Sequence, residues 1–301
     1  MTYSIVARDP ETGQLGVAVQ TCMFAVGRSV PWARAGVGAV ASQAMTDPAY
    51  GPRCLDALER GAPASDALAA ARAADDGAAL RQVGVVDASG RAAAFTGELC
   101  IDYAGHHIGD GYAVQANMMA SAAVWPAMGR AFERATGPLS ERLLAALDAA
   151  EAEGGDARGR MSAAIVVVDG EPARSPGGGI VCDLRVDHHD RPLVELRRLM
   201  RVAGAYAAYN RAVDSLFAGD ATTALEESVP ARRALPDDEN VRFLHAGALA
   251  FAGRVDDATT ELRALVDKRP TWATIIRGFV TKGLLVLPPG FDLDAVAPTR
   301  D

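Results

Sequence analysis

The chain changes character at Pro192, where short strand-like segments give way to helical patterning that continues towards the C terminus. Before that point, runs such as Thr2–Arg8 and Leu15–Thr21 are rich in β-branched and apolar residues and are separated by turn residues, a pattern typical of strands joined as hairpins. Strands and helices come in blocks and do not alternate one by one, which favours largely antiparallel sheets with helices packed outside. The sequence therefore predicts an α+β body followed by an all-α tail.

The tail contains an internal repeat with a constant spacing. Phe217-Ala218-Gly219 recurs as Phe251-Ala252-Gly253, Ala224 recurs as Ala258, and Pro236 recurs as Pro270. This period, small residues where paired helices touch, and a proline where a pair ends are typical of tetratricopeptide-like (TPR-like) helical hairpins. Two copies are too few for a free-standing solenoid, so we expect the tail to pack on the body or on a neighbouring subunit. We predict domains at residues 1–199 and 200–301, since 301 residues are long for one core.

Charge and hydropathy exclude several classes of function. The formal net charge of −8 disfavours nonspecific nucleic-acid binding, which needs clustered Lys and Arg. No apolar run approaches the roughly 18 to 20 residues that a membrane span requires. The N-terminal sequence MTYSIVARDP lacks the basic and apolar regions of a secretion signal. We therefore expect a cytoplasmic protein that binds neither nucleic acid nor membrane.

Metal and cofactor signals are weak throughout the sequence. The four cysteines are widely spaced without a CxxC pair, so we expect them to be buried, reduced thiols. The run Asp187-His188-His189-Asp190 precedes Pro192, and neighbouring histidines on an extended segment point to opposite sides, so we expect a solvated turn there. His106 and His107, in a glycine-rich stretch, receive the same interpretation. No phosphate-binding loop and no Gly-x-Ser-x-Gly elbow occurs, and we expect no metal and no cofactor.

Thr2 is the most promising candidate for a catalytic residue. Removal of Met1, which is usual before a small residue, leaves a threonine that carries both a hydroxyl group and a free α-amine. The α-amine has a reference pKa of about 7.7 to 8.0, so it can take the hydroxyl proton as the oxygen attacks a carbonyl. Many chains begin with Met-Thr and have no such activity, so the dipeptide alone does not establish catalysis.

Five ordered segments resemble a known family. They are TYSIVARDPETGQLGVAV, VPWARAGVGAVASQA, FTGELC, GYAVQANMM and GGDARGRMSAAIVVV, and together they cover about residues 1–199. The sequence in this range is similar to the DUF1028 family, which is grouped with the N-terminal nucleophile (Ntn) hydrolases. The resemblance implies a four-layer αββα sandwich in which Thr2 is the nucleophile. It also implies assembly as a dimer or larger homo-oligomer, as is common for relatives of this fold.

The resemblance is incomplete at the residues that support the nucleophile. Proteasome-like members of the superfamily carry an acidic residue near the end of the second strand and a lysine on the third, whereas Val19 and Val30 fall near those places here. No lysine precedes Lys268 in this chain. An arginine or a backbone group would have to tune the amine instead, or the body is a noncatalytic descendant.

Three groups of residues are candidates to assist Thr2. An oxyanion hole requires preorganised hydrogen-bond donors, and the corner that contains Ser42 and Gln43 could supply one beside a helix N terminus, although a helix cap at Thr46 explains this corner equally well. The side-chain amides of Gln115 and Asn117 could donate to an oxyanion, or could satisfy backbone groups at a strand end. Asp156 and Arg158 lie in a glycine-bounded loop, where the arginine could hold a substrate carboxylate or could make only a turn contact with the aspartate.

Two hypotheses for the function follow. In the first, the protein is an Ntn-type amidohydrolase that cleaves a nonpeptide C–N amide bond of a small molecule with Thr2, with Asn117 assisting catalysis and Ser42, Gln43, Gln115, Asp156 and Arg158 contacting the substrate. In the second, the body is noncatalytic and binds a small ligand or serves as a scaffold, while the helical repeat recruits a partner.

Overall fold

The computed structural model describes residues 2–175 and 177–298. Contacts within the chain divide it into two compact units, Met1–Arg198 and Leu199–Asp301, which we call the body and the tail. The predicted fold class is confirmed, because antiparallel sheets with packed helices form the body and helices alone form the tail.

Two antiparallel sheets form the centre of the body. The first sheet has six strands in the order β10-β9-β2-β1-β8-β7, and the second has four in the order β3-β4-β5-β6. Their bounds are β1 Thr2–Arg8, β2 Leu15–Thr21, β3 Pro31–Arg34, β4 Gly38–Ala44, β5 Arg81–Asp87, β6 Ala92–Thr96, β7 Gly105–Gly109, β8 Tyr112–Asn117, β9 Ser162–Val168 and β10 Ile180–Val186. The hairpin predicted at the start of the chain is present, with Tyr3 opposite Gln20.

Helices cover the outer faces of the two sheets. Helices α1 (Tyr50–Glu59) and α2 (Ala64–Ala73) share an apolar cluster with β4 and β5 of the four-stranded sheet, in which Cys54, Leu55 and Leu68 are buried. Helices α3 (Val124–Arg134) and α4 (Leu139–Ala152) cover the six-stranded sheet. Gly16 of β2 makes this approach possible, because a Cβ there would lie 2.6 Å from the Leu143 side chain. The layers are therefore helices, sheet, sheet and helices.

Two strands lie where the sequence shows only turn signals. β3 begins at Pro31, and β7 contains His106 and His107, for which the sequence predicts a solvated turn. Pairing with β4 and β8 respectively, and not local propensity, makes these segments strands. By contrast, His188 and His189 are exposed outside helices and strands, as predicted.

The space between the sheets is apolar along most of its length. Val6, Val17, Val19, Val86 and Val166 belong to one buried cluster there. On β1, however, Thr2 and Ser4 are also buried, although neither is apolar. The apolar core therefore gives way to polar side chains at the end of the sandwich where β1 begins.

The tail consists of helices. They are the C-terminal part of α5 (Pro192–Phe217), then α6 (Ala221–Ala234), α7 (Glu239–Phe251), α8 (Val255–Lys268), α9 (Trp272–Thr281) and the short α10 (Leu293–Val296). Helix α8 begins and ends one period of the sequence repeat after α6. The preceding helices, α5 and α7, end at Phe217 and Phe251, which are also one period apart. Gly219 and Gly253 follow those ends with φ of 80° and 77°, where glycine is favoured. The TPR-like assignment itself stays a prediction.

No helix within residues 2–175 and 177–298 has both the length and the apolar character needed to cross a membrane.

Substitution of Gly84 tests the close approach of the two sheets. A Cβ at Gly84 of β5 would lie 2.2 Å from Oε1 of Gln115 on β8, whose amide is held by a 2.6 Å hydrogen bond to Ser4. We expect Gly84→Ala to lower the free energy of unfolding by about 1–3 kcal/mol, because the buried amide has no room to move. The measurement is urea denaturation.

The control is Gly204→Ala in α5, where a Cβ meets no atom within 4 Å. Since alanine favours helix over glycine by about 1 kcal/mol, this variant should be as stable as the parent or more stable. Equal stability of Gly84→Ala and the parent would contradict the packing described here.

Candidate active site

Thr2 lies at the first position of β1, between β2 and β8 in the six-stranded sheet. It pairs with Asn117 of β8, and its side-chain Oγ1 is 3.3 Å from Oγ1 of Thr21 at the end of β2. The residue is 6% exposed. Met1 lies outside the described residues, so its removal stays a prediction. The structure thus places the candidate nucleophile between the sheets, beside a second hydroxyl group.

Two side-chain amides hold the backbone of Thr2 from opposite sheets. Gln43 of β4 donates from Nε2 to the Thr2 carbonyl oxygen at 3.0 Å, and Asn117 donates from Nδ2 to the same oxygen at 3.4 Å. Both side chains are buried. Because the carbonyl accepts from both sheets, the position of Thr2 depends on their correct docking.

A third amide, Gln82 of β5, connects the first two. Its Oε1 accepts from Nε2 of Gln43 and from Nδ2 of Asn117, each at 2.8 Å. Its own Nε2 donates to the backbone oxygen of Ala116 at 2.8 Å and to Oγ1 of Thr96 at 2.9 Å. These bonds satisfy groups that would otherwise be costly to bury.

Ser4 and Gln115 extend this polar layer along β1. The Ser4 hydroxyl donates to Oε1 of Gln43 at 2.6 Å and accepts from Nε2 of Gln115 at 2.6 Å. Oε1 of Gln115 has no hydrogen-bond partner within the described part of the chain. We call Ser4, Gln43, Gln82, Gln115 and Asn117 together the amide layer.

The amide layer bears directly on the oxyanion-hole hypothesis. Asn117 uses both hydrogens of its Nδ2, on the carbonyl of Thr2 and on Gln82, and Gln115 donates to Ser4. In this arrangement Asn117 holds the carbonyl of Thr2 and Gln115 holds the hydroxyl of Ser4. Their catalytic and substrate-binding roles stay predictions, as does that of Gln43.

Ser42 lies at the strand-to-helix corner that the sequence indicated. It is buried, and its hydroxyl donates to the backbone oxygen of Asp47 at 3.0 Å. β4 ends at Ala44 and α1 begins only at Tyr50, with Ala49 as its N-cap residue, so the expectation of a helix cap at Thr46 is wrong. The intervening Asp47-Pro48 turn delays the helix.

Backbone strain occurs next to two members of the amide layer. Ala44 has φ of 70° and Met118 has φ of 55°, and they follow Gln43 and Asn117 directly. Non-glycine residues adopt this left-handed region rarely, and such residues cluster at functional sites. The strain therefore supports the assignment of this end of the sandwich as the candidate site.

Asp156 and Arg158 lie at the same end of the body as Thr2. The Asp156 carboxylate accepts the backbone N–H of Cys22 at 3.1 Å and that of Arg158 at 3.0 Å, and it is 4% exposed. Arg158 Nε lies 3.5 Å from the same carboxylate, while 42% of the Arg158 side chain is exposed. The turn contact that the sequence allowed is present, and the exposed guanidinium can also meet a ligand.

A second polar cluster lies on the opposite face of β1. The Tyr3 hydroxyl donates to Oε2 of Glu151 in α4 at 2.7 Å, Gln20 Nε2 donates to the same oxygen at 2.6 Å, and Arg160 donates to Oε1. Burial, with the adjacent Glu151 charge, raises the pKa of Tyr3 well above its usual value. Burial alone would raise the pKa of Glu151, but hydrogen bonds from Tyr3, Gln20 and Arg160 hold it below its usual value.

Several residues of both clusters are not among the candidates predicted from the sequence. Thr21 could have been found, because the register of the first hairpin brings it beside Thr2. Gln82 and Glu151 gave no such signal, since their partners come from distant segments. Within residues 2–175 and 177–298, no group of three or more His, Cys, Asp or Glu side chains is arranged to hold a metal ion.

Comparison with known proteins gives a family and a solved relative. The model of a family of unknown function, DUF1028, matches residues 2–196. The crystal structure of protein SPO2555 from Silicibacter pomeroyi, assigned to DUF1028, is 36% identical to this chain with a TM-score of 0.60. That match covers 66% of this chain and 88% of the other. No curated protein matches the chain.

Replacement of Gln43 by methionine tests the amide layer. Gln43→Met keeps the approximate volume but leaves the Ser4 hydroxyl and Gln82 Oε1 each without one partner, so we expect a loss of about 1–3 kcal/mol in the free energy of unfolding. The half-buried Gln14, in the first hairpin turn, provides the control, and Gln14→Met should change stability by less than about 0.5 kcal/mol. Similar urea midpoints for the two variants would contradict the role given to Gln43.

The acid stability of the body should depend on Glu151. The pKa of Glu151 is lower in the folded protein than in the unfolded chain. Its contribution to the free energy of unfolding is therefore fully present above the pKa of the unfolded chain, and it is lost as the pH falls through the pKa of the folded protein. We therefore expect the parent to lose more stability than Glu151→Gln between pH 6 and pH about 3. The loss should begin near the reference pKa of glutamate, about 4.3. Urea midpoints at both pH values measure this, and parallel losses in the two proteins would refute it.

Proposed function

The chain belongs to the DUF1028 family, whose function is unknown, and from this premise we propose that it is an Ntn-type amidohydrolase that uses Thr2 to cleave a nonpeptide amide of a small molecule. One observation carries the proposal. The Thr2 carbonyl is fixed by Gln43 and Asn117, so that the Thr2 hydroxyl lies beside the Thr21 hydroxyl at the end of a two-sheet sandwich.

The base in this reaction is the α-amine of Thr2. No lysine precedes Lys268, so the body contains no side-chain amine that could take the hydroxyl proton. An α-amine with a pKa of about 7.7 to 8.0 is partly unprotonated at neutral pH and is held in reach of the hydroxyl by the residue itself. Loss of Met1 would supply this amine.

The proposed chemistry proceeds in two halves. The amine takes the hydroxyl proton while Oγ1 bonds to the carbonyl carbon of the substrate. The proton then passes to the leaving nitrogen as the C–N bond breaks, which releases an amine and leaves an ester on Thr2. Water, deprotonated by the same α-amine, attacks this ester, and the C–O bond breaks to release the carboxylic acid and restore the threonine hydroxyl.

Thr21 and Asp156 serve as positioning residues in this proposal. The Thr21 hydroxyl, 3.3 Å from that of Thr2, limits the directions in which Oγ1 can point. Asp156 fixes the turn after Thr21 by accepting the N–H of Cys22. Ordering the nucleophile in this way lowers the entropy that the reaction must lose.

One observation favours a second function. Thr2 is only 6% exposed, and a substrate carbonyl must reach its oxygen. A body that binds a small ligand without chemistry, or acts as a scaffold, requires no such access. In either case we propose that the tail forms TPR-like hairpins that bind a partner or a second copy of this chain.

An epoxyketone tests the proposal directly. An N-terminal threonine adds its hydroxyl to the ketone and opens the epoxide with its amine, so the mass rises by that of the whole reagent. We expect the purified protein to begin at Thr2 and to gain one reagent per chain once its four free cysteines are blocked. Intact mass measurement and N-terminal sequencing provide both readouts.

Two variants at the same position separate chemistry from chance reactivity. Thr2→Ser retains a hydroxyl and an amine and should still be modified, whereas Thr2→Ala should not. A chain that retains Met1 would exclude this reaction, since the Thr2 nitrogen would then be an amide without useful basicity.

A further inference from the structure

Large apolar side chains are exposed around the candidate site. Of the ten large apolar residues that are exposed in the described part of the body, six occur in the segments that end or connect strands at the Thr2 end of the sandwich. They are Met23, Phe24, Met45, Leu99, Ile101 and Tyr103, each between 52% and 65% exposed. We call these six residues the apolar rim.

Hydrogen bonds connect the rim to the site. Met23 and Phe24 come two and three residues after Thr21, and Met45 comes two residues after Gln43. The loop from β6 to β7 is bonded to the end of β8, since Met118 donates its N–H to Ile101 at 3.0 Å and Met119 donates to Tyr103 at 3.1 Å. The rim therefore surrounds the strand ends that carry Thr2 and the amide layer.

A cation borders the rim on one side. Nη1 of Arg158 lies 3.9 Å from the sulfur of Met23, and Asp156 pairs with Met119 in an isolated bridge. The Asp156 carboxylate already accepts two backbone N–H groups, and its contact with Arg158 Nε is long, at 3.5 Å. The exposed end of the guanidinium can therefore form paired hydrogen bonds with a carboxylate.

We propose that the substrate is an N-acyl amino acid or a close analogue, whose apolar acyl chain lies on the rim and whose carboxylate binds Arg158. This assignment rests on the proposed function, because it places the scissile amide at Thr2 between the two contacts. Clustered exposed apolar side chains mark binding surfaces. Continuity with the Thr2 site and the adjacent positive charge select an amphiphilic anion as the occupant.

Calorimetric binding to the Thr2→Ala variant tests the proposal without requiring turnover. Three probes separate its parts: N-octanoylglycine, N-acetylglycine, which lacks most of the chain, and N-octanoylglycinamide, which lacks the charge. We expect N-octanoylglycine to bind at least about tenfold more tightly than N-acetylglycine, since burial of even two or three methylene groups supplies this factor. We expect N-octanoylglycine to bind about tenfold more tightly than N-octanoylglycinamide.

Variants assign these differences to residues. In the Thr2→Ala background, Arg158→Gln should abolish the preference for the carboxylate while the affinity for N-octanoylglycinamide stays the same. Ile101→Ser should weaken both octanoyl probes and leave N-acetylglycine unaffected. The matched control is Ile180→Ser, because Ile180 is 54% exposed but lies on β10 opposite Val168, at the other end of the sandwich.

Several results would overturn the assignment. Equal affinities for the three probes, or none, would exclude this class of ligand even if the epoxyketone modifies Thr2. A change in molecular mass by light scattering in Ile101→Ser, without an effect on binding, would identify the rim as an interface between copies of the chain. Failure of Thr2 to react, with the expected binding pattern intact, would instead exclude hydrolysis and leave a ligand-binding body.

Discussion

The docking of the two sheets depends on buried amides that have to satisfy one another. Gln43 and Gln82 come from the four-stranded sheet, and Gln115 and Asn117 come from the six-stranded sheet. An apolar interface tolerates small shifts, but a buried amide that loses its partner costs the full desolvation penalty. The amide layer therefore fixes the relative position of the sheets, and it does so at the end where the candidate nucleophile lies.

The same interactions give Thr2 its special environment. Its carbonyl oxygen accepts from both sheets, and its side chain lies beside Thr21. The residues that follow Gln43 and Asn117, Ala44 and Met118, are held in left-handed conformations. Buried polar groups that could have been replaced by apolar ones are expensive to retain. The proposed catalytic or binding role would give a reason to retain them at this end of the body.

Much of the architecture could be predicted from the sequence, because local patterns determine it. The first hairpin, the change from strands to helices at Pro192, and the constant spacing of the repeat in the tail all follow from periodicity and turn residues near one another in the chain. β3 and β7 could not be predicted, since they become strands only by pairing with β4 and β8. Both pairings are hairpins with short turns, but the proline that opens β3 and the glycines that bound β7 belong to residue types depleted in strands, so residue type did not indicate them.

The candidate site was predictable only in part, for a similar reason. Thr2, Gln43 and Asn117 do come together, as their positions near strand ends suggested. Their interactions with one another, through Gln82, could not be anticipated, because residue types do not show which donor meets which acceptor. Asn117, an amide proposed to stabilise a substrate oxygen, donates to the chain's own Thr2 carbonyl oxygen.

The two polar clusters on β1 have a consequence for the register of this strand. Thr2 bonds into the space between the sheets, while Tyr3, the next residue, bonds to α4 on the opposite face. A slip of one position would exchange these two faces and place the bulky phenol where the small hydroxyl belongs. Contacts on both faces therefore fix the register of β1 to a single residue, and an extra or missing residue between Thr2 and the first turn could not be absorbed by sliding.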